Sequence, residues 1–356
     1  MEAEDGFLTE KARKAERKLN WAPWDNDAWN VLFREAQNQR IQKARKTYEK
    51  MVEKFPTCGK FWKQYIEHEM KNGNYENVEK LFKRCLVSVL NLDLWKVYLA
   101  YIRETKDKHP TYREKMRKAY DFAIDKIGLD LQSYPIWNDY INFMRNIEVQ
   151  GSFAENQRIS HVRKIFQRGV VTPMSNIENL WKDYNTYEQS INPLIAKKMI
   201  DDKNKEYLNA RRATKELEVL QRNLMKSAPA QPATGGIDER KVVESWRKYI
   251  EWEKGNNLRI EDKHLQTRRV MFAYEQCLLV LGHHPEMWYE AAQFLVRSSQ
   301  EFIDAGEMHA GKRLGDEAAE LYKRATGQLM KRNPLLWVEN THDKCQSKIS
   351  ILYPPI

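Results

Sequence analysis

Cysteine is scarce: four residues in 356, at Cys58, Cys85, Cys277 and Cys345, with no CxxC spacing among them. That excludes a disulfide framework and a paired-cysteine zinc site, and it suits a reducing compartment. Only 14 glycines occur and β-branched runs are few, while Lys, Arg, Glu, Gln, Leu and Ala dominate, so the composition points to helix. No apolar stretch approaches the roughly 20 residues that cross a bilayer, and the polar start MEAEDGFLTEKARK lacks the apolar core of a signal peptide. The expectation is a soluble, intracellular chain with no membrane contact. The signatures of catalysis are missing as well. There is no GxSxG, no phosphate-cradling GxxxxGK and no HExxH, so no residue is assigned to catalysis, to a cofactor or to a metal, and the chain is expected not to be an enzyme.

What is present is a polar chain with large aromatic anchors. The mean hydropathy is −0.78, yet there are 11 Trp and 17 Tyr and the hydrophobic content is 42%, enough for a core. Thin helical layers exposed on two sides need that pairing. The net charge of +10 permits contact with nucleic acid or an acidic partner. Basic residues are interleaved with acidic ones, as in KARKAERK from Lys11 to Lys18, which is the pattern of a solvated helix face.

The stretch Phe61 to Leu86 shows the unit from which the chain is built. Trp62, Tyr65 and Ile66 fall on one helical face with Glu69 a turn further on, and Val78, Phe82, Cys85 and Leu86 do the same in a second helix. Asn72-Gly73-Asn74 between them reads as a helix stop and turn. Such a hairpin is too small to fold alone and implies neighbours of its own kind. They follow. Trp29 leads Leu32 and Phe33, Trp95 leads Tyr98 and Leu99, Trp137 leads Tyr140 and Ile141, Trp181 leads Tyr184, Trp246 leads Tyr249 and Ile250, and Trp288 leads Ala291 and Ala292. The first three tryptophans are 33 residues apart, a two-helix repeat length, and later spacings widen by insertion. The second helices centre on Tyr48, Phe82, Tyr120, Phe166, Tyr274 and Tyr322, and three positions later come Met51, Cys85, Ala123, Gly169, Cys277 and Ala325. Five of those six are small, as expected where a neighbouring helix passes close to the backbone. Cys85 and Cys277 therefore read as packing residues rather than reactive thiols.

The fifth unit departs from the pattern. From Pro193 to Lys226 the sequence reads as one charged helix, on the order of 50 Å at 1.5 Å per residue, with Ile200, Tyr207, Ala210, Leu217 and Leu224 on an apolar face. It suits a strut covering its own solenoid or, alternatively, a coiled-coil contact with a partner. SAPAQPATGGI, from Ser227 to Ile237, is a linker in which Pro229, Pro232 and Gly235-Gly236 break the helix. The expected organisation is an amino-terminal array over residues 1–226, a linker over 227–237, the start of a second array over 238–337 and a divergent tail over 338–356. An eighth unit opens at Trp337 but carries Asn340 and Thr341 where an aromatic and an aliphatic belong.

Three sets of polar residues were candidates for function. Glu69, Glu188 and Glu253 recur at one position and are expected to bond within or between hairpins. His283-His284 precedes Pro285 in a turn; packing or capping is expected, because no third metal ligand lies nearby in sequence. Two residues after the second-helix aromatic stand Lys50, Arg84, Arg168 and Arg324, which stacked units would align into a basic surface ladder. The competing reading is ion pairing between repeats with glutamates.

The pattern Trp-x-x-Tyr-Ile-x-x-Glu followed by a helix with a central aromatic resembles the half-a-TPR (HAT) repeat of RNA-processing proteins. Trp62, Tyr65, Ile66 and Glu69 match it in full, as do Trp246, Tyr249, Ile250 and Glu253, whereas Leu32 and Ala291 replace the tyrosine in the first and seventh units. DLWKVYLAYIRETK from Asp93, AENQRISHVRKIFQRG from Ala154 and RVMFAYEQCLLVLGHHPEMWYEAAQFL from Arg269 resemble the family of large HAT-repeat subunits of the cleavage stimulation factor, the suppressor-of-forked family. The resemblance covers about residues 10–337. It implies an all-α solenoid and a nuclear, non-catalytic scaffold for cleavage and polyadenylation of pre-mRNA 3′ ends. That scaffold links an RRM subunit to a WD40-repeat subunit, dimerises through its carboxy-terminal array and contacts pre-mRNA indirectly. This chain stops inside the eighth repeat, so it reads as a short isoform or a product of premature termination in which dimerisation and RRM-subunit binding lose their expected support. The repeats alone are equally compatible with a scaffold in splicing or ribosomal RNA maturation. A direct RNA-binding solenoid is a third reading, which lacks RRM or KH signatures.

Overall fold

A computed structural model describes residues 9–106, 111–327 and 329–331; among them are fifteen α-helices and no strand. Trp337, Asn340, Thr341, Cys345 and the tail over 338–356 lie outside the described residues. Helix α1 (Glu10–Trp21) precedes seven successive pairs: α2 (Asn26–Asn38) with α3 (Ile41–Lys54), α4 (Gly59–Lys71) with α5 (Tyr75–Cys85), and α6 (Leu92–Lys106) with α7 (Tyr112–Ile127). Next come α8 (Tyr134–Arg145) with α9 (Ser152–Gly169), α10 (Ile177–Ile191) with α11 (Pro193–Gln221), α12 (Ile237–Lys254) with α13 (Lys263–Val280), and α14 (Pro285–Asp304) with α15 (Met308–Gly327). Each pair is one of the tryptophan-led units.

The helix ends follow local chemistry. Asp25 caps α2 by accepting from the Ala28 N–H at 2.8 Å, satisfying a donor that the first turn leaves orphaned. Gly73 adopts φ +70° in the α4–α5 turn, a conformation that side-chain-bearing residues avoid. Pro193 and Pro285 open α11 and α14, where a missing N–H costs nothing.

Of the two charged helices, one keeps its expected solvated face and the other is shorter than expected. The charged run from Lys11 to Lys18 is solvated on one face, but it forms α1, which buries Ala12 and Ala15 against the array. The long charged helix ends at Gln221 rather than Lys226, about 44 Å by its 29 residues. Beyond it the chain turns, the Leu224 N–H donating to the Gln221 carbonyl at 3.0 Å, which buries the Leu224 side chain.

The core is a file of aromatic side chains. Trp95, Trp246, Tyr48, Tyr120, Tyr184, Tyr274 and Tyr322 are completely enclosed, and Trp29, Trp62, Trp137, Trp288, Phe82, Phe166, Tyr65, Tyr140 and Tyr249 are buried. Tyr98 and Trp181 are half-buried.

Contacts divide the chain into two compact units, one of Met1–Val89, Met225–Val243 and Ala273–Ile356, the other of Leu90–Leu224 and Glu244–Phe272. The first unit gathers α1–α5, α14 and α15 with the whole of the 227–237 stretch, the start of α12 and the end of α13. Within it the Thr57 hydroxyl donates to the Leu279 carbonyl at 2.8 Å, and the Trp24 ring sits between the Lys54 ammonium, 3.6 Å from its centroid, and the edge of His283, 5.0 Å away. The second unit holds α6–α11 and most of α12 with half of α13.

Candidate partner-binding surface

Four of the seven leading tryptophans tie their hairpin to the connection before it, whereas the buried indole N–H groups of Trp95 and Trp246 make no hydrogen bond among the described residues. The indole N–H of Trp29 donates to the Pro23 carbonyl at 2.9 Å, that of Trp62 to Pro56 at 2.7 Å, that of Trp288 to Gly282 at 2.9 Å and that of Trp137 to Gly128 at 3.1 Å. One residue thus fills the hairpin and satisfies a carbonyl at its entrance. Trp181 instead stacks flat on Tyr207 of α11, with centroids 4.2 Å apart and planes 3° from parallel. That stacking, together with an Arg211–Glu178 ion pair at 2.8 Å, lays α11 along α10, and its buried residues line the side facing the array.

Between successive hairpins, the second-helix aromatic of one stacks on the tyrosine of the next. Tyr48 lies on Tyr65 and Tyr120 on Tyr140, each pair 5.0 Å between centroids and 19° or 11° from parallel. The residue after the aromatic then serves that tyrosine. Tyr65 donates its hydroxyl proton to Glu49 at 3.0 Å, Tyr140 donates to Asp121 at 2.8 Å, and the Gln167 amide donates to the Tyr184 hydroxyl at 3.2 Å. Burial pushes the Tyr48 hydroxyl up to about 12, so these phenols stay protonated donors at any working pH.

The recurring carboxylates are each held by two nitrogens of a guanidinium, Nε and Nη2. Arg45 of α3 binds Glu69 of α4 at 2.7 and 2.9 Å, and Arg163 of α9 binds Glu188 of α10 at 2.7 and 2.8 Å. Both reach from one hairpin to the next. Arg269 binds Glu253 at 3.0 and 2.7 Å within the sixth hairpin, from α13 to α12. Fork-to-carboxylate geometry makes these the strong ion pairs of the molecule. Burial raises a carboxyl pKa and paired donors lower it. At Glu69, hydrogen bonds from Arg45 and Asn74 outweigh burial and hold the group below its usual range; at Glu253, more deeply enclosed, burial wins and the pKa is raised.

The four ladder positions are engaged within the repeats. Arg84 forks onto Glu49 of the preceding hairpin at 2.9 and 3.0 Å, Arg324 reaches Glu275 at 2.6 Å, and Lys50 reaches Glu16 of α1 at 3.3 Å. Arg84, Arg168 and Arg324 also lie over the tryptophan of their own hairpin, Trp62, Trp137 and Trp288, at 5.0, 5.8 and 5.2 Å from the rings. Each arginine is therefore a lid on its tryptophan as well as a charge. In the seventh hairpin Ala291 stands where a tyrosine would use Glu275, which leaves that carboxylate to Arg324.

The remaining candidates are packing groups. Cys58, Cys85 and Cys277 are buried free thiols; burial pushes Cys58 up to about 11 and Cys85 up to about 12. Cys277 faces the Met287 sulfur at 3.6 Å. A Cβ at Gly169 would stand 2.8 Å from Leu180 and 3.3 Å from Trp137, the close approach that the small position requires. His284 contacts Glu239 at 3.4 Å and Glu286 at 3.2 Å, tying the first turn of α12 to the start of α14, while the His283 ring packs on Trp24 and burial lowers its pKa. Among the described residues, no three His, Cys, Asp or Glu side chains converge to hold a metal ion, and no helix is long and apolar enough to cross a membrane.

Internal polar networks and long exposed helix faces define an α-solenoid of HAT hairpins. The chain belongs to the suppressor of forked protein (Suf) family, whose profile matches residues 10–347. It is 46% identical over 360 residues to protein suppressor of forked of Drosophila melanogaster, covering 92% of this chain and 47% of that protein. It is 34% identical over 269 residues to cleavage stimulation factor subunit 77 of Arabidopsis thaliana, covering 75% of this chain and 36% of that one. A crystal structure of CstF-77 superposes with a TM-score of 0.51 at 20% identity, over 82% of this chain and 58% of that one, which shows the shared fold. The chain spans about half, or less, of the length of these curated relatives.

Proposed function

We propose that this chain is a non-catalytic scaffold in the cleavage and polyadenylation of pre-mRNA 3′ ends, working in the nucleus through contacts with cleavage stimulation factor subunits and other processing proteins. The observation that carries this reading is the family match running through all seven hairpins, from residue 10 to residue 347. The polar networks support it, since the repeated glutamates, tyrosines and arginines are spent on joining hairpins and leave the outer helix faces for partners. Contact with pre-mRNA is indirect in this reading. Arg84 and Arg324 are already matched by carboxylates, and phosphate would have to compete for them.

Affinity purification of the chain from nuclear extract tests the proposal. Recovery of cleavage and polyadenylation subunits supports it; recovery of spliceosomal or nucleolar proteins in their place points to another RNA pathway. A mobility shift with purified RNA, steeply weakened by salt and needing no protein, would make the chain a direct RNA binder.

A further inference from the structure

Helix α9 turns a face to solvent that is built unlike those of the second helices before it. Phe153, Gln157, Ser160, Lys164 and Arg168 recur at steps of three or four and are all exposed, as are Asn156 and His161 beside them. Where α3, α5 and α7 each carry two or more carboxylates, α9 carries one, Glu155, which Arg158 holds through Nε and Nη2. Arg163 is committed to Glu188. Lys164 and Arg168 make no ion pair among the described residues. Arg168 differs in this from Lys50, Arg84 and Arg324, because Asp121, the carboxylate that corresponds to Glu49, is taken by Tyr140 and by Arg117.

At the other end of this stripe Phe153 leaves 75% of its surface in water, and Leu194, at the same second position of the next second helix, α11, leaves 92%. The two ends of the α9 face therefore differ in chemistry. An apolar anchor stands on the first turn, and two unmatched cations follow 11 and 15 residues later, about 16 and 22 Å along the axis. Between them lie amides, a hydroxyl and an imidazole, which cost far less to desolvate than ions. We infer that this face docks an amphipathic acidic helix of a partner protein, laid along α9. One apolar side chain of that helix covers Phe153, and carboxylates three to four turns away reach Lys164 and Arg168. A helix satisfies its own backbone, and α9 offers no strand edge to an extended chain. The same residues speak against RNA. Two uncommitted cations in ~22 Å match few phosphates, and a single phenyl ring at the far end gives no run of stacking platforms. The inference rests on the scaffold reading, in that the occupant is a protein, and not on the pathway.

Photo-crosslinking of the full chain tests it. The photoreactive p-benzoyl-L-phenylalanine is placed at Phe153, the chain is irradiated in nuclear extract, and the crosslinked peptides are sequenced by mass spectrometry; the same group at Val87, also exposed, sets the background. One protein segment is expected to predominate, with helical apolar periodicity and Asp or Glu about 10–16 residues from the crosslinked position. A synthetic peptide of that segment should then bind the purified chain, by fluorescence anisotropy, with a dissociation constant of tens of micromolar or tighter. Phe153→Ala and K164E/R168E are each expected to weaken it by ~10-fold or more. Because Arg168 also covers Trp137, Lys164→Glu alone keeps the test decisive if circular dichroism shows the double variant to be misfolded. Crosslinking no stronger than at Val87, a crosslinked segment without acidic residues, or peptide binding unchanged by the variants overturns the inference. Crosslinking to RNA in place of protein makes the α9 face a nucleic-acid site instead. If the affinity purification recovers processing subunits while the group at Phe153 captures nothing, the inference falls and the scaffold reading stands; if neither yields a protein, both fall.

Discussion

Arg45 grips Glu69 with Nε and Nη2, at 2.7 and 2.9 Å, across the boundary between the first and second hairpins. The Glu69 side chain is fully enclosed while Arg45 keeps 36% of its surface exposed, so the carboxylate depends on the arginine more than the reverse. Replacing Arg45 by Met leaves a buried, unpaired charge and should destabilise the chain by about 2–4 kcal/mol, the lower part of the range for buried pairs because one partner is solvated. R45M/E69Q should recover much of that loss. Urea denaturation of both variants checks it.

Acid and base should act oppositely on the two carboxylate types. Glu69 has a lowered folded-state pKa, so its stabilising contribution is full above the unfolded value and fades as pH falls through the folded one. Glu253 has a raised pKa, so its contribution is full below the unfolded value and is lost as pH rises through the folded one. Glu69→Gln should therefore flatten the acid side of a melting-temperature profile below about pH 5, whereas Glu253→Gln should remove the loss on the alkaline side and still lower stability throughout, because it leaves the enclosed Arg269 without its carboxylate. Parallel profiles for the two variants would contradict the assignment.

Gly169 is a test of packing alone. A methyl group there meets Leu180 at 2.8 Å and Trp137 at 3.3 Å, so Gly169→Ala is expected to cost about 1–3 kcal/mol through displaced side chains, despite the better helix propensity of alanine. Chemical denaturation reads the sign, and a neutral or stabilising result would mean that the α9–α10 contact yields easily.

Charge reversal at the ladder separates fold from function. Arg84→Glu places a carboxylate opposite Glu49 at an exposed site, so its cost should stay within about 1 kcal/mol. Arg168→Glu loses the guanidinium over Trp137 and should cost no more. If the reversed chain melts normally but loses its processing-factor partners in the purification above, the ladder is part of the partner surface.

Thiol reactivity gives a further readout. With Cys58, Cys85 and Cys277 buried, a disulfide-exchange reagent should label none of them at the rate of an exposed thiol until the chain is unfolded by urea. Fast native labelling at Cys85 would show that the α4–α5 hairpin opens.

The hairpins were legible in the sequence because one bulky residue, tryptophan, leads every first helix and an aromatic centres nearly every second one. The close approach at Gly169 was legible from its small neighbours in register. The bonding rules were present but harder to see. Arg45 and Arg163 stand three residues before Tyr48 and Phe166, a repeat signal as regular as that of the glutamates they bind, but arginine is too common on solvated faces to stand out. The carboxylates at Glu49, Asp121 and Glu275, each one residue after an aromatic, were hidden for the same reason. Helix α1 was legible as a solvated face in the charge pattern from Lys11 to Lys18, but its packing was not, because it buries only Ala12 and Ala15. The contacts of Trp24 with His283 and of Thr57 with Leu279 join segments over 200 residues apart, and no local pattern encodes them.

That last contact bears on the order of events during synthesis. The Thr57 hydroxyl waits for a carbonyl 222 residues downstream, which at 5–20 residues per second arrives roughly 10–45 s after Thr57 itself is made. The first two hairpins therefore emerge from the ribosome with Trp24 and its surroundings uncovered. Their interval of exposure is set by the speed of translation and not by any local folding rate.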